Sequence, residues 1–322
     1  MTEQRGNSST MEILHYPDDP TPAFWRQPVL ALGNFDGVHR GHAQIIERVR
    51  QRATERGVTS AVLTFDPHPP RIVRPDKAPP LLMTKEQKLT WVADAGIDGA
   101  AIVRFTPEIS RWEPAEFVET VLVDWLNVSE VWVGANFLFG RDRTGNFTLL
   151  RELGGRHGFR VEKIDPVRYK EFVVSSTRIR RLIDDGLVDE AGALLGHHYV
   201  IDGEVVAGAR RGQQQGFPTA NLETANEVLP PDGVYATTVT VDGVIYPSVT
   251  NIGVRPTFES GGKRVIEAHL FEYGGDLYGM QVRLAFVQRL RDELEFPDAA
   301  ALRHQIESDC ADARALFGRI SL

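Results

Sequence analysis

The hydrophobic rhythm of this chain changes once, near Gly196, and that change constrains its fold more than any other feature. Before it, short apolar runs alternate with longer segments of helical spacing. Residues 29–32 are a short apolar run ending at Gly33, and residues 42–56 follow with Ile45, Ile46 and Val49 on one helical face. Residues 59–65 read as a buried strand that ends in Asp66-Pro67-His68-Pro69-Pro70, where proline has no N–H to give a sheet. Further helices are expected over 85–95, 114–126 and 149–157, and one that begins near Ser176. Strands are expected over 100–105, 130–134 and 160–164. This alternation predicts a parallel sheet covered on both faces by helices.

After Gly196 the runs become short, β-rich and separated by Gly, Pro and Asp turns. They cover residues 199–201, 203–206, 234–241, 244–246, 265–270 and 280–287, with Asp242-Gly243 as a hairpin turn between two of them. Period-2 runs at this spacing argue for a small antiparallel barrel or sandwich. A helix returns after Pro297 and runs to about Leu316. A length of 322 residues suits two domains. The expected division is 1–12 without ordered structure, 13–186 as the first domain and 187–322 as the second.

The net charge of −8 makes the chain a poor general binder of nucleic acid, because few phosphates can be neutralised at once. Cys310 is the only cysteine, so no internal disulfide forms, and a cytoplasmic setting is expected. No apolar run approaches the roughly 18 residues that would span a bilayer. Small anionic ligands remain open as substrates.

Two strings carry the chemistry. The first is Gly33-Asn34-Phe35-Asp36-Gly37-Val38-His39-Arg40-Gly41-His42. It lies where a strand gives way to a helix, at the edge where open α/β sheets bind ligands. A helix amino terminus there offers unpaired N–H groups and partial positive charge to phosphates. His39 and His42, three apart, can both donate to phosphate oxygens. Taken alone, the same string is also a strand–turn–helix junction with two surface histidines.

The ten-residue string resembles the nucleotidylyltransferase superfamily, and in this length the adenylyltransferase module of bacterial bifunctional riboflavin kinase/FAD synthetases. Thr64-Phe65-Asp66-Pro67-His68-Pro69 and Val133-Gly134-Ala135-Asn136-Phe137-Leu138-Phe139-Gly140 resemble further family segments. So does Ser175-Ser176-Thr177-Arg178-Ile179-Arg180. The resemblance implies ATP held by Gly33, Asn34, Phe35, His39, His42, Asn136, Ser175, Ser176, Thr177 and Arg180, with His39 and His42 catalytic. Ser175 to Thr177 read equally as a helix cap, a role that can coexist with phosphate binding. A phosphate monoester is already anionic at pH 7, so adenylyl transfer asks for positioning and charge neutralisation, not a general base.

The second string is Gly216-Phe217-Pro218-Thr219-Ala220-Asn221. In extended chain Thr219 and Asn221 point the same way, and their oxygens suit Mg²⁺. A turn with local side-chain hydrogen bonds gives the same pattern. The string resembles the flavokinase signature. Later segments around Asn251, Glu267, Asp276 and Arg289-Leu290-Arg291-Asp292-Glu293 follow in family order. The resemblance implies Glu267 as general base toward the ribityl hydroxyl. It implies Arg211, Gly212, Gly216, Pro218, Thr219 and Asn221 around ATP, with Thr219 and Asn221 on Mg²⁺. It implies Asn251, Arg289, Arg291 and Glu293 near the flavin. Strand alternation puts Val265, Glu267 and His269 on one face, either outward or in a cleft. The family pattern is broken after Arg211-Gly212, where Gln213-Gln214-Gln215 replaces a basic and an aliphatic residue.

The resemblance therefore implies a Rossmann-like nucleotidylyltransferase domain, then a small flavokinase β-barrel with a C-terminal helix. Its reactions are riboflavin to FMN and FMN to FAD, each using ATP. Rival readings are an adenylyltransferase whose kinase half is impaired, and a non-catalytic flavin-binding regulator.

Overall fold

The computed structural model describes residues 11–207, 217–254 and 264–320. The chain divides into two compact units, Met1–Pro80 with Lys85–Val174, and Leu81–Thr84 with Ser175–Leu322.

The first unit opens with β1 (Glu12–Tyr16), β2 (Val29–Leu32), α1 (Arg40–Arg56) and β3 (Ser60–Asp66). Next come α2 (Pro69–Val73), α3 (Lys85–Asp94), β4 (Gly99–Arg104) and α4 (Pro114–Phe117). Then follow β5 (Glu130–Gly134), the two-residue strands β6 (Leu138–Phe139) and β7 (Gly145–Asn146), α5 (Phe147–His157) and β8 (Arg160–Ile164). A short hairpin, β9 (Arg168–Tyr169) and β10 (Phe172–Val173), closes the unit.

Six strands form one sheet in the order β1-β4-β3-β2-β5-β8. Every pairing in it is parallel. Strands buried on both faces need near-continuous apolar residues, as in β2 and Ala61-Val62-Leu63 of β3. One face packs Leu30, Leu32, Leu63, Val131 and Val133 against Phe117, Val121, Leu122 and Leu150. The other receives Ile45, Ile46, Val49 and Ala53 of α1.

One expectation is corrected here. Glu12 belongs to the ordered fold, because β1 pairs with β4 from its first residue and Glu12 N–H donates to Asp98 O at 3.0 Å. Residues 1–10 lie outside the described residues. The helix expected over 114–126 forms as α4 running into a π-helical stretch, Val118–Trp125. Leu126 N–H reaches back to Val121 O at 3.1 Å, an i→i−5 bond.

The second unit begins with α6 (Ser176–Asp184) and α7 (Val188–Leu195). Six antiparallel strands follow: β11 (Tyr199–Val206), β12 (Ala220–Thr224), β13 (Gly233–Val241), β14 (Val244–Val254), β15 (Arg264–Leu270) and β16 (Gln281–Arg291). They close into a barrel in the order β11-β12-β15-β14-β13-β16. Of the barrel and the sandwich, the barrel is what forms. Its closure leaves no sheet edge unpaired. α8 (Ala299–Phe317) lies on the outside, where Cys310 and Ala313 pack with Val234, Ala236, Val249 and Phe271.

Candidate functional site

Sheet order reverses beside β2: the chain passes from β2 to β3 on one side and reaches β5 on the other. Such a switch point opens a crevice at the carboxyl ends of the two strands. The string that starts at Gly33 leaves β2 there, and Gly134-Ala135-Asn136 leaves β5 beside it. The fold thus brings His39, His42 and Asn136 to one edge, although their strings are far apart in sequence.

The turn between β2 and α1 is bent hard. Phe35, Gly37 and Val38 all have positive φ, at 51°, 86° and 34°. For Phe35 and Val38 this conformation costs of order 1 kcal/mol or more each. Burial of both side chains, Phe35 at 0% exposure, offsets it. The bend leaves His39 as the N-cap of α1, with His42 N–H donating to His39 Nδ1 at 3.3 Å. That bond assigns the His39 proton to Nε2, which makes that nitrogen a donor. Gly41 makes room for the cap, since a Cβ there would stand 3.2 Å from His39 Cε1. No acidic residue occupies the first turn of α1, so its positive end is not neutralised locally.

The two imidazoles stack, with centroids 3.6 Å apart and planes 12° from parallel. The edge of Phe35 meets His42 at 5.2 Å. Burial, then the neighbouring His39, then Lys88 push the pKa of His42 well below the usual imidazole value. Both charged would repel strongly at this distance, so the pair offers N–H donors without full charge. His42 Nδ1 is buried and has no hydrogen-bond partner among the described residues.

Thr64, at the end of β3, ties this loop to the sheet: its hydroxyl donates to Asn34 O at 3.2 Å and accepts from Lys88 Nζ at 3.3 Å. Sequence reasoning passed over Lys88. A lysine on a helix reads as a solvated charge, but this one is desolvated beside Asp36 and Asp66. His68 precedes α2 and makes no side-chain cap there.

In the second unit, Ser175 caps α6, accepting from Arg178 N–H at 3.3 Å. Ser176, Thr177 and Arg180 lie in the helix it opens, whose first turn carries no acidic residue. The cap is observed, and it leaves the helix end suited to an anion.

The barrel register assembles the other candidate site. Glu267 of β15 stands directly opposite Asn221 of β12 and, on its other side, Asn251 of β14. Directly paired residues present side chains to the same face. Ile266, Ala268 and Leu270 are buried inward, so Glu267 is on the outer face, half-buried. His269 shares that face and binds Pro218 O through Nδ1 at 2.9 Å, while Phe217 meets its ring edge at 5.5 Å. His269, not singled out from sequence, thereby fixes Phe217-Pro218-Thr219 next to the Asn221–Glu267–Asn251 row.

The three charged residues after β14 do not gather on that row. Arg291 makes a two-pronged pair with Asp309 of α8 at 2.9 and 2.8 Å. Arg289 donates to Asp232 O at 2.8 Å and covers the ring of Tyr235. Glu293 sits against Gly253, its carboxyl pKa pushed up by burial and by Asp232. Arg211, Gly212, Gly216 and Gln213 to Gln215 lie outside the described residues, as does most of the segment after Val254. Among the described residues no group of three His, Cys, Asp or Glu could hold a metal ion. A cation in the second unit would need ligands from its nucleotide, which is how Mg²⁺ is usually held.

Comparison with known proteins identifies both halves of the chain. The family model for FAD synthetase matches residues 21–178, and that for riboflavin kinase matches residues 195–317. The bifunctional riboflavin kinase/FMN adenylyltransferase of Pseudomonas fluorescens is 41% identical over 288 residues, which is 89% of this chain and 92% of that protein. The protein of the same name from Bacillus subtilis is 35% identical over 297 residues, 91% of this chain and 93% of the relative. A Streptococcus pneumoniae crystal structure titled as a macrolide-efflux protein superposes with a TM-score of 0.85 at 26% identity, covering 94% of this chain and 99% of that one. Among the described residues no helix is long and apolar enough to cross a membrane.

Proposed function

The chain belongs to the bifunctional riboflavin kinase/FMN adenylyltransferase family, and from that premise we propose a division of labour between two sites. It phosphorylates riboflavin to FMN with ATP, and it transfers AMP from ATP to FMN to give FAD and pyrophosphate.

The kinase step belongs to the barrel, with Glu267 as general base. An alcohol is a weak nucleophile at pH 7, so the ribityl 5′-hydroxyl must lose its proton as it attacks the γ-phosphorus. The observation that carries this reading is the register, which sets Glu267 between two asparagine amides. Those amides can orient a hydroxyl and a phosphate without competing as bases. Thr219 and Asn221 would hold Mg²⁺ with oxygen ligands; when bound, the ion neutralises nucleotide phosphate charge. Pro218 lies against the nucleotide side of the row, with Arg211, Gly212 and Gly216 completing the loop over ATP. Asn251, Arg289, Arg291 and Glu293 form the flavin side. For Arg291 this requires release from Asp309 or contact through its backbone.

The adenylyl step belongs to the Gly33-to-His42 loop. His39 Nε2–H and the His42 ring donate to oxygens that gain charge as the α-phosphorus is displaced. The amino terminus of α1 adds partial positive charge, and Asn136 approaches from the end of β5. Gly33, Asn34 and Phe35 shape the loop. The amino terminus of α6, with Ser175, Ser176, Thr177 and Arg180, suits nucleotide phosphates. FMN phosphate is the nucleophile and needs no base. The single buried cysteine and the use of ATP support a cytoplasmic setting.

Chromatography of riboflavin with Mg-ATP over time tests the scheme. FMN should rise first and FAD follow. FAD only from added FMN would favour an impaired kinase half, the reading that Gln213-Gln214-Gln215 suggests.

A further inference from the structure

We propose that Lys88 is a further substrate-binding residue of the adenylyl-transfer site, supplying the fixed positive charge that meets the pyrophosphate end of ATP. The proposal rests on the reading of the His39–His42 loop given above.

ATP brings about four negative charges to that loop, and the departing pyrophosphate concentrates most of them. Stacked imidazoles 3.6 Å apart are poor carriers of the compensating charge, and a helix amino terminus contributes only about half a unit. The string's own cation, Arg40, lies over the ring of Tyr169 at 5.1 Å, and Lys88 offers a second positive charge from outside the string. Lys88 reaches the loop from α3, across the end of β3. Its ammonium donates to Thr64 Oγ1 at 3.3 Å, and the same hydroxyl donates to Asn34 O at 3.2 Å. Thr64 is the one hydrogen-bonding partner that Lys88 has among the described residues, so two of its three N–H groups are left for a ligand. His42 Nδ1 nearby is equally without a partner. An ammonium with N–H groups to spare and an imidazole at one sheet edge suit an anion with several oxygens.

The surroundings of the lysine act in opposite directions. Desolvation lowers its pKa, while Asp36 of the loop and Asp66 of β3 oppose that. Asp66 is also paired with Lys85 at 3.1 Å, so it is only partly committed to Lys88. His42 faces Lys88 from the loop and is held neutral in part by it. The two carboxylates favour the charged form of the lysine, while the surroundings of His42 favour its neutral form. The competing explanation is that Lys88 merely offsets the two aspartates; it then matters for stability and not for nucleotide.

The test uses the full chain carrying K88M, K88Q and K88R, assayed for FAD formation from FMN, with the melting temperature and FMN formation as controls. K88M and K88Q should each raise the KM for ATP and weaken inhibition by inorganic pyrophosphate at least about tenfold, the usual scale for a hydrogen-bonded charge. The KM for FMN and the kinase rate should stay unchanged, and K88R should restore most of the loss. K88Q with wild-type pyrophosphate inhibition overturns the proposal, and so does a loss that K88R does not restore. H42A run alongside separates the two levels. If H42A fails while K88M and K88Q behave as wild type, only the role of Lys88 is wrong. If all are normal, the placement of the adenylyl site at this loop is wrong.

Discussion

Removing the Glu130 carboxylate should loosen the first unit and leave the barrel intact. Glu130 opens β5, and its side chain is only 1% exposed. Arg52 of α1 grips it with Nε at 3.1 Å and Nη2 at 3.2 Å, and Arg56 adds a bond at 3.3 Å. Trp132 Nε1 donates to it at 2.8 Å. This clamp fixes α1, which carries the two histidines, against the strand that leads to Asn136. Breaking one side of a buried ion pair costs about 3–5 kcal/mol. Both arginines are 32% exposed and can turn toward water, so the lower end applies, about 3 kcal/mol for Glu130→Ala. A domain of this size shifts its midpoint by about 2–4 °C per kcal/mol, so the first unit should melt about 6–12 °C lower. The pH dependence follows from the carboxylate. Desolvation alone would raise its pKa, but the Arg52 hydrogen bond, the Trp132 bond and both guanidinium charges lower it on balance. A depressed pKa means stabilisation that is fully present above the ordinary value of 4.5 and lost as pH falls through the folded value. The gap between wild type and Glu130→Gln should therefore persist at pH 7 and shrink on acidification below pH 4.5. Thermal inactivation of the two activities, followed separately, is the assay. A variant midpoint within about 2 °C of wild type at pH 7 would refute the clamp.

His42→Ala should impair FAD formation from FMN and spare FMN formation, measured on one preparation; loss of both would indicate a folding defect. Because His42 is held well below 6.5 in the fold, the unfolded chain takes up its proton first, and stability falls as pH drops below 6.5. Melts from neutral pH to about pH 5.5 should show a weaker acid slope in His42→Asn; an unchanged slope would show that the ring titrates normally. Gly203→Ala should destabilise the barrel by about 1–3 kcal/mol, through overpacking. Its Cβ would stand 2.6 Å from Glu223 O, a backbone atom of the paired strand that cannot swing away. A melt unchanged from wild type would mean that β11 and β12 separate easily.

The alternation of the first half was legible because a parallel sheet imposes long apolar strands and amphipathic helices, as β3 and α1 display. What escaped notice was short or held by tertiary pairing. α7 spans eight residues after Gly186, too few for a helical period to declare itself. β12 reads Ala-Asn-Leu-Glu-Thr, with little β propensity, and exists because β11 and β15 pair with it on both sides. β14 runs on to Val254 past Pro247, which reads as a strand stop; there the carbonyl accepts from Phe271 N–H at 2.8 Å. The face of Glu267 followed from simple alternation, but its two asparagine neighbours needed the barrel register. Lys88 and His269 were hidden for a related reason. Each acts through a residue distant in sequence, Thr64 for one and Pro218 for the other.

The account turns on separate chemistry at two sites, with one carboxylate serving only the first reaction. Glu267→Ala, given riboflavin and Mg-ATP, should form no FMN, yet given FMN and ATP it should make FAD at the wild-type rate. Riboflavin phosphorylation at the normal rate in that variant would contradict the assignment of the base, and loss of FAD synthesis from FMN would contradict the independence of the two sites.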